Sequence, residues 1–254
     1  MDAKTAERLR ALADRYETAD FLRGDPSWFM HRAEGVANRE ATAFVASALS
    51  FGARSQFLPK IAWIVGRAGG DVDGWIRSGA FGRDFAPDDA RCFYRFFTHA
   101  AMHAFFAAYR DVMREHGTLG GYVRASCGGD AAKAVEAICR RFGAPGGASV
   151  VPKDARSACK RVCMFLRWMV RSGSPVDLGL WSDFIDRRTL VVPLDTHVVQ
   201  EAVALGLLKG PASSMCAARR LTAALAEAFP DDPVRGDFAL FGLGVDGAPS
   251  ARHF

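Results

Sequence analysis

What the chain lacks narrows its class first. No run of about 18 apolar residues escapes a charge or a glycine, which excludes a helix that spans a membrane. The first fifteen residues, Met1 to Arg15, carry charges throughout and offer no apolar signal-peptide core. Six cysteines without close-set pairing exclude a disulfide scaffold and fit a reducing, cytoplasmic setting. Strand-like alternation is nearly missing, and the one β-branched patch, Leu190 to Val192, is too short for a sheet. There is no internal repeat, low-complexity segment or Ser/Pro-rich linker. Lysine is scarce: Lys4, Lys60, Lys133, Lys153, Lys160 and Lys209 stand among 33 basic residues. Arginine is the better phosphate fork and lysine the side chain that becomes a nucleophilic amine, so any amine chemistry has few candidates.

What is present describes an ordinary globular protein. Its 254 residues are 50% hydrophobic and 24% charged, enough for one large domain or two intimate lobes sharing a core. Intrinsic disorder and collagen-like repeats are excluded by the same figures. The net charge of +5 permits a polyanionic partner without requiring one.

Helical periodicity dominates, and the predicted class is all-α. Apolar positions recur at helical spacing over residues 38–51, 56–67, 88–116, 130–142, 154–171, 196–205, 213–229 and 233–243. Two Gly/Pro-punctuated stretches, 143–152 and 172–193, separate rigid helices and are the expected home of functional groups. They suggest a helical N-terminal extension (1–37), a first helical lobe (38–152) and a second lobe (153–254), forming a single unit over 1–254.

The helix expected over 154–171 has two faces. Val162, Phe165, Leu166, Met169 and Val170 share one flank at about 100° per residue, while Arg156, Lys160, Met164, Arg167 and Arg171 share the other. That second face reads either as a solvated cationic stripe or as the wall of a phosphate groove. Farther on, Pro193-Leu194-Asp195-Thr196-His197-Val198 delivers an acid to a helix start. Asp195 is there a natural N-cap. Its place after a Gly/Pro-rich loop, downstream of a lysine-bearing cationic helix, gives it a second reading as a catalytic carboxylate.

Pro193 to Val198, followed by Leu205-Gly206-Leu207, resembles the Asp-bearing segment of the helix-hairpin-helix-GPD DNA glycosylases. These are two-lobed all-α enzymes that cut the bond between a damaged base and its sugar, across a cleft between the lobes. Endonuclease III-like members place a lysine about eighteen residues before the Asp, where this chain has Val176 and Asp177, and their Leu-Pro-Gly-Val-Gly hairpin is missing here. The archaeal 8-oxoguanine glycosylase branch, with a longer, irregular hairpin and thirty-odd residues between Lys and Asp, is more similar, as are uncharacterised bacterial relatives carrying Cys-Lys-Arg and Leu-Asp-Thr-His. The resemblance covers residues 38–243, and its specific part is 157–206.

That resemblance implies a base-excision-repair glycosylase with β-lyase activity on 8-oxoguanine. Lys160 would be the nucleophile and Asp195 its helper, on double-stranded DNA containing a damaged base. Arg167 matches a second basic residue of the pocket, and Gln56, Asp237 and Phe241 sit where base-reading groups are expected. Trp168 and Phe241 would supply stacking. Arg156, Arg161 and Arg171 would hold the backbone. The chain is expected to be monomeric, to use no cofactor and to bind no metal. The rival expectation is a non-catalytic helical nucleic-acid-binding protein of the same fold, which needs only the arginine stripe. His99 with His103, and Cys159 with Cys163, are each one turn apart, but no further ligands for a closed zinc site are evident.

Overall fold

The protein is described by a computed structural model that covers residues 1–143 and 150–246. Twelve α-helices appear among the described residues: α1 (Ala3–Tyr16), α2 (Ser27–Arg32), α3 (Val36–Leu49), α4 (Arg54–Arg67), α5 (Val72–Ser78), α6 (His99–His116), α7 (Leu119–Cys127), α8 (Ala131–Phe142), α9 (Lys160–Val170), α10 (Thr196–Ala204), α11 (Met215–Ala226) and α12 (Gly236–Asp246). The class is mostly helical, as the periodicity indicates. Many helix starts are written in the sequence. Asp2, Asp71, Thr98, Thr118, Asp130, Asp195 and Ser214 each accept an N–H of the following first turn.

Two expected helices begin later than their periodicity suggests. The stretch 88–116 opens with a short antiparallel hairpin, β1 (Cys92–Tyr94) and β2 (Phe97–Thr98), and turns helical only at His99. Arg95 in the left-handed region (φ 53°) makes the hairpin turn, aromatic residues favour extended backbone, and the Thr98 cap fixes the helix start. The stretch 154–171 is helical only from Lys160. Residues before it are drawn toward the start of α11 by a bridge between Ser157 and Ser214 and by the Met215 N–H on the Arg156 carbonyl at 3.3 Å. The loop expected at 143–152 lies partly outside the described residues.

α3 runs through the centre and packs against α2, α4, α5 and α9. Phe44 on α3 meets Phe105 and Tyr109 of α6, Phe142 of α8 and Phe165 of α9, with ring centroids 4.9–5.4 Å apart. Glu40, one turn earlier, is also buried. Its carboxylate accepts from the N–H groups of Leu119 and Gly120 at 2.9 and 3.1 Å and from the Trp181 indole at 2.9 Å, which caps α7 from another helix. Burial pushes this carboxyl above its ordinary value, against those three donors.

Residues 1–37 do not stand apart from the C-terminal helices. α1 lies along α12, and Glu17 at its end bonds both Arg171, just after α9, and Arg235, just before α12. α10 also packs on α12, so α12 lies between α1 and the helix that Asp195 caps.

Candidate functional site

Lys160 and Asp195 meet. Cys159 takes a left-handed conformation (φ 46°) and its carbonyl accepts the Cys163 N–H at 2.9 Å, which starts α9 with Lys160 as its first residue. The chain leaves α9 and folds back on it, with the N–H groups of Leu178 and Gly179 on the Trp168 carbonyl and that of Trp181 on the Met169 carbonyl. Gly179 sits at φ 64°, and a Cβ there would lie 2.8 Å from Ser172 Cα, so this return needs glycine. The Val192 N–H is held by Thr222 Oγ1 at 3.0 Å, and the following Pro193-Leu194 brings Asp195 to the start of α10.

The Lys160 Nζ lies 2.9 Å from Asp195 Oδ2, with side chains 36% and 30% exposed. Asp195 Oδ1 accepts the Val198 N–H at 2.9 Å, so one carboxylate oxygen caps the helix and the other faces the amine. Burial works against the Asp195 charge, but Lys160 and the Val198 N–H outweigh it and hold the carboxyl below its ordinary value. A charged carboxylate and a primary amine thus share a point that solvent reaches.

Behind this pair stands a buried ionic network. Arg167 Nη1 bonds the Asp237 carboxylate, and its Nε lies 3.2 Å from Asp177 Oδ1. Arg171 bonds Asp177, Asp232 at 2.8 Å and Glu17 at 2.7 Å. Burial pushes the Asp237 carboxyl up, Arg167 opposes this, and the Asp195 charge adds to it. Asp237 therefore feels both members of the Lys160–Asp195 pair, which joins the exposed pair to the buried network.

The cationic stripe expected on α9 is not a stripe. Arg167 and Arg171 point inward and are only 4% exposed, each saturated by carboxylates, so Arg171 is not available to a phosphate. The missing signal is distance along the chain: Asp177, Asp232, Asp237 and Glu17, which neutralise them, come from separate segments. Arg161 is largely buried as well. It donates to the Ala48 carbonyl and to the Val150 carbonyl at 2.8 Å, with Phe51 and Phe97 against its guanidinium, so it too is turned away from a backbone partner. Arg156 is exposed but lies before α9, paired with Asp154 at 2.6 Å.

Among the expected base-reading groups the placements differ. Trp168 is fully buried, so it packs the core and cannot stack on a ligand; its face of α9 is apolar like that of Phe165 and Met169. Gln56 is exposed in the first turn of α4. Phe241 is half-buried, edge-on to Tyr16 and Phe21, with the Arg54 guanidinium 5.9 Å from its ring centre. Arg54 also approaches Asp25 Oδ2 at 3.8 Å, and Asp25 favours the charge of Arg167. Sequence reasoning passed over Asp25, Arg54 and Asp177; Asp25 carries a local signal, an Asp-Pro-Ser start to α2.

The two discounted pairs are packed among other groups. His99 and His103 lie against Phe85 and Phe81, with ring centroids 5.3 and 5.4 Å apart. Cys159 Sγ faces Cys139 Sγ at 3.8 Å. No group of three or more His, Cys, Asp or Glu residues suited to a metal occurs among the described residues. No helix among them is long and apolar enough to cross a membrane.

Neither a curated protein nor a solved structure matches this chain. A family described as "Protein of unknown function (DUF2400)" matches it over residues 25–246, a span that holds α2 to α12 and with them every member of the Lys160–Asp195–Asp237–Arg167 group. The chain belongs to that family.

Proposed function

We propose that this protein is a DNA glycosylase with β-lyase activity that removes oxidised guanine, built as a two-lobed helix-hairpin-helix-GPD-like fold and acting as a monomer in the cytoplasm. One observation carries the reading: Lys160 Nζ and Asp195 Oδ2 lie 2.9 Å apart on separate segments, both open to solvent. Exposed lysine–carboxylate pairs are common, but this one joins the two residues singled out by the glycosylase resemblance, thirty-five positions apart.

The chemistry follows from the pair. The damaged base must leave the duplex before its sugar is reached, at a cost of a few kcal/mol. Asp195 Oδ2 takes a proton from the Lys160 ammonium and frees a lone pair. The amine attacks the sugar carbon while the bond to the base breaks; the electrons of that bond leave with the base, which takes up the proton that Asp195 accepted, so that Asp195 is again a carboxylate. Positive charge on the sugar ring at that moment is stabilised by the fixed carboxylate. The bond from that carbon to the ring oxygen breaks as the nitrogen's proton passes to the oxygen, leaving a Schiff base on Lys160; Asp195 then takes a proton from the neighbouring carbon, a carbon–carbon double bond forms and the 3′ phosphate leaves with the electrons of its bond. The buried Arg167–Asp237 pair lies within electrostatic range of Lys160 and Asp195, and Arg167 neutralises the Asp237 charge that would otherwise oppose that of Asp195.

The rival reading, a non-catalytic nucleic-acid binder, rests on an arginine stripe, and two of that stripe's arginines are buried in ion pairs. Borohydride reduction with duplex DNA containing 8-oxoguanine tests the proposal. A covalent adduct that disappears in Lys160→Gln is expected; salt-dependent binding with no adduct on any damaged base refutes it. Asp195→Asn is expected to bind and to release base at least about 100-fold more slowly.

A further inference from the structure

Cys139 near the end of α8 and Cys159 at the start of α9 come from two helices that pack together, and their Sγ atoms lie 3.8 Å apart. Both residues are buried. Ser157, whose Oγ lies 3.5 Å from Cys159 Sγ, is exposed, so this sulfur sits one contact below solvent. Cys159 is one of two non-glycine residues in the left-handed region among those described, with φ 46°. Such backbone is strained for an L residue and persists only where the surrounding structure holds it, which here fixes the sulfur opposite Cys139.

The two thiols differ in character. A hydrogen bond from Cys139 holds the Cys159 thiol down to about 7 against the effect of burial, helped by the Ser157 hydroxyl and the Arg161 guanidinium. The same bond, together with burial, pushes the Cys139 thiol up. In its protonated form Cys159 donates to the Asp154 carbonyl at 3.3 Å. Cys159 is thus the sulfur that attacks as a thiolate, and Cys139 the one that resolves the product. Cys163, one turn into α9, takes neither part: burial pushes its thiol up, and its Sγ donates to the Ala158 carbonyl at 3.6 Å. No set of three or more His, Cys, Asp or Glu residues suited to a metal surrounds the pair among the described residues.

We infer that Cys139 and Cys159 form a site of reversible oxidation, joined as a disulfide when a peroxide reaches Cys159. The Cys159 thiolate attacks one oxygen of hydrogen peroxide, the O–O bond breaks and hydroxide leaves, giving a sulfenic acid. Cys139 then attacks that sulfur, and the displaced hydroxyl leaves with the Cys139 proton as water. The hydroxide from the first step takes up the proton that Cys159 gave to solvent. The two thiols lose two electrons in all, and the peroxide becomes two waters. The sulfurs close from 3.8 Å to about 2.05 Å. Because the Cys159 carbonyl accepts the Cys163 N–H of α9, the bond ties the foot of the helix that carries Lys160 to α8. The inference goes beyond the glycosylase reading and does not use it.

The test uses the full chain, reduced first, exposed to hydrogen peroxide, then denatured and alkylated with N-ethylmaleimide. Peptide mapping without reductant reads each of the six cysteines separately. Cys139 and Cys159 are expected to lose their adducts together and to appear as one linked peptide pair, while Cys127 and Cys163 stay alkylated. Dithiothreitol applied to the folded, oxidised protein should restore both adducts. Full alkylation of Cys139 and Cys159 after peroxide, or a bond from Cys159 to any other cysteine, overturns the inference. In Cys139→Ala the sulfenic acid has no resolving thiol, so dimedone should label Cys159 and the linked pair should vanish. Absence of that label overturns the assignment of Cys159 as the attacking sulfur.

Discussion

Removing Asp177 probes the buried network most directly. Its side chain is wholly buried and bridges two arginines, 3.2 Å from Arg167 Nε and bonded to Arg171. In Asp177→Ala both guanidinium groups lose a partner where water cannot replace it. Breaking a buried pair costs about 3–5 kcal/mol when the surviving charge is left uncompensated. Here Arg167 keeps Asp237 and Arg171 keeps Asp232 and Glu17, which places the expected loss at the lower end, about 3 kcal/mol. For a chain of this size that lowers Tm by roughly 6–12 °C. Urea titration at pH 7 with thermal unfolding reads both quantities, and Asp177→Asn, which keeps shape and one acceptor, is expected to lose less. A double-mutant cycle with Arg171→Met isolates the pair. A loss below about 1 kcal/mol in Asp177→Ala, with wild-type cooperativity, would show that the network is dispensable and refute the reasoning.

Two further outcomes are expected. The Asp195 carboxyl is held below its usual 3.8 by Lys160 and the Val198 N–H in spite of burial, so its contribution to stability is fully present above that value and is lost as pH falls through the lower folded one. Acid unfolding should therefore shift to higher pH in Lys160→Gln, and an identical acid limb in both proteins contradicts the pairing. Trp168 is buried, and its indole N–H has no hydrogen-bond partner among the described residues. Trp168→Phe removes an unpaired donor worth about 1–3 kcal/mol and loses apolar area of similar worth, so its Tm should change little and base release should persist. Loss of base release at unchanged Tm would return Trp168 to the ligand.

Local patterns carried most of the fold. The caps at Asp130, Asp195 and Ser214 and the apolar stripes mark helix starts because the responsible groups lie within one turn of each other. The hairpin at residues 92–98 escaped because Phe93, Phe96 and Phe97 fit a helical spacing as well as an extended one, and the turn at Arg95 decides between them. The Lys160–Asp195 approach was legible only through the family resemblance, since nothing in either segment alone specifies the other. The inward turn of Arg167 and Arg171 was illegible for the same physical cause: an arginine is buried by partners, and these come from residues 17, 177, 232 and 237.

The lock between Glu17 and Arg235 spans 218 residues. During synthesis at about 5–20 residues per second, α1 waits on the order of 10–40 s for the partner that covers its apolar side. Lys160 likewise emerges well before Asp237. The Lys160 amine therefore exists on the nascent polypeptide long before its surroundings do, and those surroundings are complete only once α12 has been made. Slowing the ribosome late in the message would lengthen the interval in which α1 is exposed to chaperones and proteases, without altering the finished molecule.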